Sequence, residues 1–158
     1  MNLNNIPTDI RYLNQWVCTR GDSKVPRRTY MEGAASSTDP STWSSFDMAR
    51  SSVENGYNDY VGFVFNDNGI VGIDIDDAYD EDGFLSPLAA DIIGRCKSYT
   101  EKSKSGTGLH ILLYGSLPFK GKNNLKGVEI YKSARYFIMT GDTLIYNNME
   151  ENQEVWQF

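Results

Sequence analysis

The sequence predicts an α+β domain built on a mainly antiparallel sheet. Three observations carry this: several short β-rich runs separated by Gly- and Lys-rich turns, two or three amphipathic helical segments, and two apolar runs joined by Asn66-Asp67-Asn68-Gly69. At 158 residues the chain reads as one domain over residues 1–158, long enough to bury a sizeable core. A hydrophobic fraction of 40% and an aromatic fraction of 13% exclude a disordered tail. No apolar run reaches the roughly 18 residues of a membrane span. The N-terminal MNLNNIPTDIRYLNQW lacks the basic-then-apolar pattern of a signal peptide. Cys18 and Cys96 sit in unrelated segments with no CxxC or Cys/His cluster, so the expectation is reduced core thiols in a cytoplasmic protein, without zinc.

In chain order, Pro7 ahead of Thr8, Asp9, Ile10 and Leu13 predicts a short first helix with proline in its first turn. Trp16-Val17-Cys18-Thr19 reads as a strand. Residues 21–42 are polar and carry Gly21, Pro26, Gly33 and Pro40, which predicts a long loop of the kind that tends to serve function. Residues 45–55 read as a helix, with Phe46, Ala49 and Val53 on one face and Gly56 past its end. Residues 60–65 and 70–75 are β-rich, and a four-residue connection ending in Asn-Gly between such runs is a hairpin signature. Ser86-Pro87 opens a helix through about Arg95, with Leu88, Ala89, Ile92 and Ile93 inward. Further strands are predicted at 97–101, 109–114, 126–131 and 135–140.

The formal charge of −6 argues mildly against a polyanionic partner until it is mapped. Six carboxylates lie within residues 74–82, and Asp142, Glu150, Glu151 and Glu154 lie near the C-terminus. Between them crowd Lys97, Lys102, Lys104, Lys120, Lys122, Lys126, Lys132 and Arg135. A carboxylate cluster that holds divalent cations is partly neutralised by them.

Asp74 and Asp76 alternate with Ile73 and Ile75, which places both carboxylates on one strand face and the isoleucines on the other. Two carboxylates so close repel unless a cation sits between them, and hard oxygen donors suit Mg²⁺ or Mn²⁺. The bland alternative, a solvated acidic loop, suits Asp80 to Asp82 better than two acids inside a strand. An EF-hand reading fails: with Gly83 at loop position six, Ala78 and Ala89 fall at the two key ligand positions.

A second constellation is Ser103-Lys104-Ser105-Gly106-Thr107-Gly108-Leu109-His110. Two glycines among hydroxyl residues make a loop able to wrap a phosphate with backbone N–H groups, although it is neither a P-loop nor a dinucleotide fingerprint. His110, the chain's one histidine, alternates with Leu109 and Ile111 and so shares the polar face. A third piece is Glu129 between Val128 and Ile130, where a partly buried carboxylate needs a cation or donor; the alternative is an exposed edge position.

In this order, hydrophobic-Asp-x-Asp, Ser-Gly-Thr-Gly-x-His and hydrophobic-Glu resemble the three motifs of the archaeo-eukaryotic primase superfamily. The resemblance is in particular to the N-terminal primase-polymerase domains of phage, plasmid and mobile-element replication proteins. It runs from about residue 7 to residue 141, with support from Gln15-Trp16-Val17, the stretch 35–43, Ser98-Tyr99-Thr100-Glu101 and the stretch 131–141. It implies an N-terminal αβ unit plus an RRM-like sheet, with the active site between them. It also implies DNA primase and DNA polymerase activity, that is, template-directed nucleotidyl transfer. Asp74, Asp76 and Glu129 would hold two ions, Mg²⁺ or Mn²⁺, and act as the catalytic carboxylates. Lys104, Ser105, Gly106, Gly108, His110 and Arg135 would bind the incoming dNTP or NTP, with the Arg27/Arg28 pair as a further phosphate or template contact. Implied partners are a single-stranded DNA template and primer, with a helicase or accessory primase domain supplied elsewhere. The implied setting is the cytoplasm of a bacterial or phage-infected cell.

Two other classes compete on the residues alone. A metal nuclease also clusters carboxylates, but Glu129 is followed by Ile130 and Tyr131 rather than by the acid-x-Lys spacing, and one histidine excludes a His-x-His relaxase. An RRM-like binder needs exposed aromatics on adjacent strands, for which Phe63/Phe65 and Tyr136/Phe137 are the candidates.

Overall fold

The computed structural model describes residues 1–119, 121–124 and 126–152; Lys120 and Glu154 of the charge map lie outside them. Among the described residues three α-helices form in the predicted segments, with Pro7 at the N-cap of the first rather than in its first turn. The first, α1 (Thr8–Arg11), follows Pro7. The second, α2 (Phe46–Glu54), begins where the Ser45 hydroxyl accepts from the Met48 N–H. The third, α3 (Pro87–Cys96), begins where Ser86 accepts from the Ala89 N–H and ends at Lys97 in the left-handed region, φ 49°. That ending moves the next strand: β-structure starts at Thr100 rather than 97. No helix among the described residues is long and apolar enough to cross a membrane.

The strands are β1 (Trp16–Thr19), β2 (Tyr60–Asn66), β3 (Ile70–Ile75), β4 (Thr100–Lys102), β5 (Leu109–Tyr114), β6 (Gly121–Asn124), β7 (Val128–Tyr131) and β8 (Ser133–Met139). They form two antiparallel sheets, β1-β2-β8 and β4-β5-β3-β7-β6. The α+β reading therefore holds, and β6 is a strand the sequence pattern did not reveal. The N-terminal sheet takes its third strand, β8, from the far end of the chain.

The predicted hairpin is wrong. Strands β2 and β3 sit in different sheets, and Asn66–Gly69 carries the chain from one to the other, with Asp67 (φ 52°) and Gly69 (φ 87°) both left-handed. The physical reason is stacking. The Phe65 ring lies over Gly72, where an added Cβ would come within 2.2 Å of its Cζ, so the sheets press face to face at that point. Both strands are nearly all buried, and each satisfies its two edges with other partners.

Alternation then sorts the five-stranded sheet. Val71, Ile73, Ile75, Leu109, Ile111, Leu113, Val128 and Ile130 pack with Ile92 and Ile93 of α3. The opposite face is split. Ile70 and Leu112 join Trp16, Phe46, Phe63 and Phe65 in the core between the sheets. The rest of that face is polar and opens into a cleft. Cys18 and Cys96 are free and buried as predicted, their thiols pushed up to about 11 and about 12 by desolvation.

Candidate active site

Four side chains stand at one register across four strands: Glu129 on β7 opposite Asp74 on β3, Asp74 opposite His110 on β5, and His110 opposite Glu101 on β4. The cleft beside this row has a volume of about 550 Å³ and is lined by Asp74, Asp76, Glu129, His110, Lys104, Ser105 and Arg135, together with Lys24, Ser103, Tyr131 and Tyr136. Seven of the nine residues predicted for the site thus meet there.

The other two serve the loop itself. Gly106 turns at φ 78° toward a neighbouring cleft of about 390 Å³ lined by Asp77, Tyr79, Asp80, Lys102 and Thr107. At Gly108 a Cβ would come within 2.8 Å of the Ile75 carbonyl oxygen, so glycine lets the loop lie against β3, and its N–H donates to Ser103 Oγ at 3.1 Å. The hydroxyls of Ser103, Ser105 and Thr107 link in series, at 3.1 and 2.9 Å. Lys104 Nζ donates to the Gly21 carbonyl at 2.7 Å and lies 4.4 Å from the Tyr60 ring centroid, joining the phosphate-type loop to the long loop after β1.

His110 is clamped. Its Nε2 lies 3.6 Å from Asp74, its Nδ1 lies 3.3 Å from Glu101, and its ring stacks on Phe137 of β8 at 4.5 Å between centroids and 16° between planes. Burial pushes its pKa down, but the Glu101 carboxylate, and then Asp74, outweigh this and hold the imidazole above its ordinary value. Asp74 moves the other way from most paired carboxylates. Burial raises its pKa, neighbouring Asp76 and Glu129 raise it further, and His110 only partly offsets them. At the opposite end of the row the Tyr131 hydroxyl donates to Glu129 at 2.7 Å, and the Arg135 guanidinium lies 5.1 Å from the Tyr131 ring centroid.

The donor set fits a hard divalent ion in its chemistry: three carboxylates line one cleft, with Asp74 buried among like charges. Among the described residues, no three His, Cys, Asp or Glu side chains converge around a single point as they stand.

Two further sequence readings, one of them from the rival RRM-like class, find no support in this cleft. Arg27 is not in the cleft: its guanidinium donates to Asn58 Oδ1 at 3.0 Å and pairs with Glu32 at 3.2 Å, and Lys24 of the same loop lines the cleft instead. Arg28 is likewise absent from the lining. The Phe63/Phe65 pair considered for base stacking is fully buried, and Phe137 is spent on His110. Residues missed as site members are Glu101, Lys24, Tyr131 and Tyr136, while Ser103 belongs to the phosphate-type loop already singled out. The signal for Glu101 was available, since it follows Tyr99 at strand spacing.

No family model matches the chain. The chain is 33% identical over 150 residues to a protein named DNA primase-polymerase from Nitratiruptor phage NrS-1. This likeness is consistent with a primase-polymerase domain. The match takes in 89% of this chain and 21% of the phage protein, so the chain spans about a fifth of that relative's length. The two-sheet α+β architecture is consistent with the fold of such a domain.

Proposed function

We propose that this chain is a nucleotidyl-transfer domain of the DNA primase-polymerase kind, acting on a DNA template and primer in replication of a phage, plasmid or mobile element within the host cytoplasm. The observation that supports this most is the Glu129–Asp74–His110 register row, flanked in one cleft by Lys104, Ser105 and Arg135. Carboxylates and cations line the same cleft, the two kinds of group that transfer between an attacking hydroxyl and a triphosphate demands. Two divalent ions, Mg²⁺ or Mn²⁺, held by Asp74, Asp76 and Glu129 would neutralise charge on the attacking 3′-hydroxyl and the leaving pyrophosphate. The chain's own groups do the rest. Lys104, Arg135 and the Ser105 hydroxyl bind and orient triphosphate oxygens, and His110, fixed by two neighbours and a stacked ring, meets them from the sheet side.

A nuclease would share the carboxylates but has no use for triphosphate-directed cations. The test is primer extension with dNTPs and with NTPs, each with and without primer, in Mg²⁺, in Mn²⁺ and in EDTA. Metal-dependent incorporation is the expected result. Strand cleavage without incorporation would establish the nuclease instead. A helicase or accessory primase partner is expected to improve primer-free starts, scored by adding one to the same assay.

A further inference from the structure

Glu101 is fully buried, and its partners are the Tyr99 hydroxyl, the Thr140 and Gly141 N–H groups and His110 rather than a lysine or arginine. A buried carboxylate is costly to keep unless donors surround it. Here they do: the Tyr99 hydroxyl donates to Oε1 at 2.7 Å, the Gly141 N–H to the same oxygen at 3.1 Å, and the Thr140 N–H to Oε2 at 2.9 Å. Three donors from two segments fix both carboxylate oxygens. The remaining contact of Oε2 is His110 Nδ1 at 3.3 Å. A carboxylate so held can only accept, so it requires hydrogen on Nδ1 and fixes the ring orientation, which directs Nε2 toward Asp74 and the cleft. Phe137 completes the clamp from the other sheet, stacked 4.5 Å from the imidazole.

We infer that Glu101 is a positioning residue for nucleotide binding, acting through His110 by fixing which ring nitrogen faces the cleft. The inference rests on the proposed nucleotidyl-transfer reading for its consequence, though not for its geometry. Glu101 touches no cleft volume itself; it is absent from the lining and is reached only through the imidazole. An acid whose sole task was to tie Thr140–Gly141 to β4 would leave the imidazole's state untouched on removal. Glu101 instead makes a specific prediction about a side chain on another strand.

Because His110 is the chain's one histidine, its ring nitrogens give an unambiguous ¹⁵N signal. The experiment compares wild type, Glu101→Gln, His110→Ala and the double variant, by long-range ¹H–¹⁵N spectra where the histidine remains, and by steady-state incorporation. The expected result is a clear change in the His110 ring ¹⁵N shifts in Glu101→Gln. The KM for the incoming nucleotide should rise on the order of tenfold, as for loss of one charged hydrogen bond. The double variant should lose no more than His110→Ala alone. Unchanged ring signals, or losses that add fully in the double variant, overturn the inference. If Glu101→Gln does not fold, Tyr99→Phe removes one donor to the same carboxylate and is read by the same criteria, with a smaller shift. A protein that incorporates no nucleotide but still shows the ring-signal change sinks the functional reading and leaves the positioning intact. Normal incorporation without the change does the reverse.

Discussion

Asp74 carries two opposed demands in one side chain. Its place on β3 buries it, and its neighbours Asp76 and Glu129 repel it, so its carboxyl is held above the usual carboxylate range. A carboxyl whose pKa rises on folding keeps its proton better in the native state. Ionising it therefore costs stability as the pH climbs above the ordinary value of 3.8. In metal-free protein at neutral pH, Asp74→Asn should leave the melting temperature unchanged or raise it. The same substitution should abolish incorporation, with a loss of roughly a thousandfold or more if a metal ligand has gone. Thermal unfolding in EDTA and a primer-extension rate, measured on one preparation, check both halves. A lower melting temperature would mark Asp74 as structural. His110 and the cations of the cleft predict a different signature. His110→Ala and Arg135→Ala should raise the nucleotide KM, roughly tenfold or more for His110, while template affinity changes little. Separate titrations of nucleotide and template decide this, and equal losses on both would count against it.

Packing between elements sets what those residues can reach. Gly72 is a point of close approach between the sheets, with Phe65 and Phe137 both closer than 3 Å to a Cβ built there. Gly72→Ala should therefore destabilise by about 1–3 kcal/mol, the usual range for overpacking. It should also lower incorporation, because Phe137 is the ring that stacks on His110. Gly94 on α3 is the control: a Cβ there meets nothing within 4 Å, so Gly94→Ala should stabilise by roughly 0.5–1 kcal/mol through helix propensity. Urea unfolding of both variants measures the contrast. This level also shows where the sequence was legible. Faces were: period-two alternation placed Asp74 with Asp76, and His110 opposite the isoleucine side, because that pattern depends only on local geometry. The cap at Ser86 was as well. Strand partners were not. Asn66–Gly69 has hairpin chemistry, yet the Phe65–Gly72 contact and the recruitment of β8 to β2 are long-range facts that no local window contains. Arg27 failed for a similar reason, since Asn58, its partner 31 positions away, claims it.

At the scale of the whole molecule, the charge of −6 opposes a polyanion, so template binding has to come from a local site. The structure narrows the basic stretch considerably. Lys132 pairs with Asp67 at 3.5 Å and donates to the Leu117 carbonyl, while Lys102 faces the smaller cleft. Lys24, Lys104 and Arg135 line the main cleft, and Lys104 lies 3.6 Å from Asp22. With about 0.7 in log–log salt slope for each phosphate contact on a single strand, three cations give a slope of about 2 at most. The chain should accordingly bind single-stranded DNA weakly near physiological salt, tighten when salt is lowered, and extend primers better than it starts them. Fluorescence anisotropy of a labelled oligonucleotide across a salt series, paired with a primer-free synthesis assay, measures both. Nanomolar binding that ignores salt, together with efficient starts, would mean that contacts outside this cleft hold the template and that the charge map has been read at the wrong place.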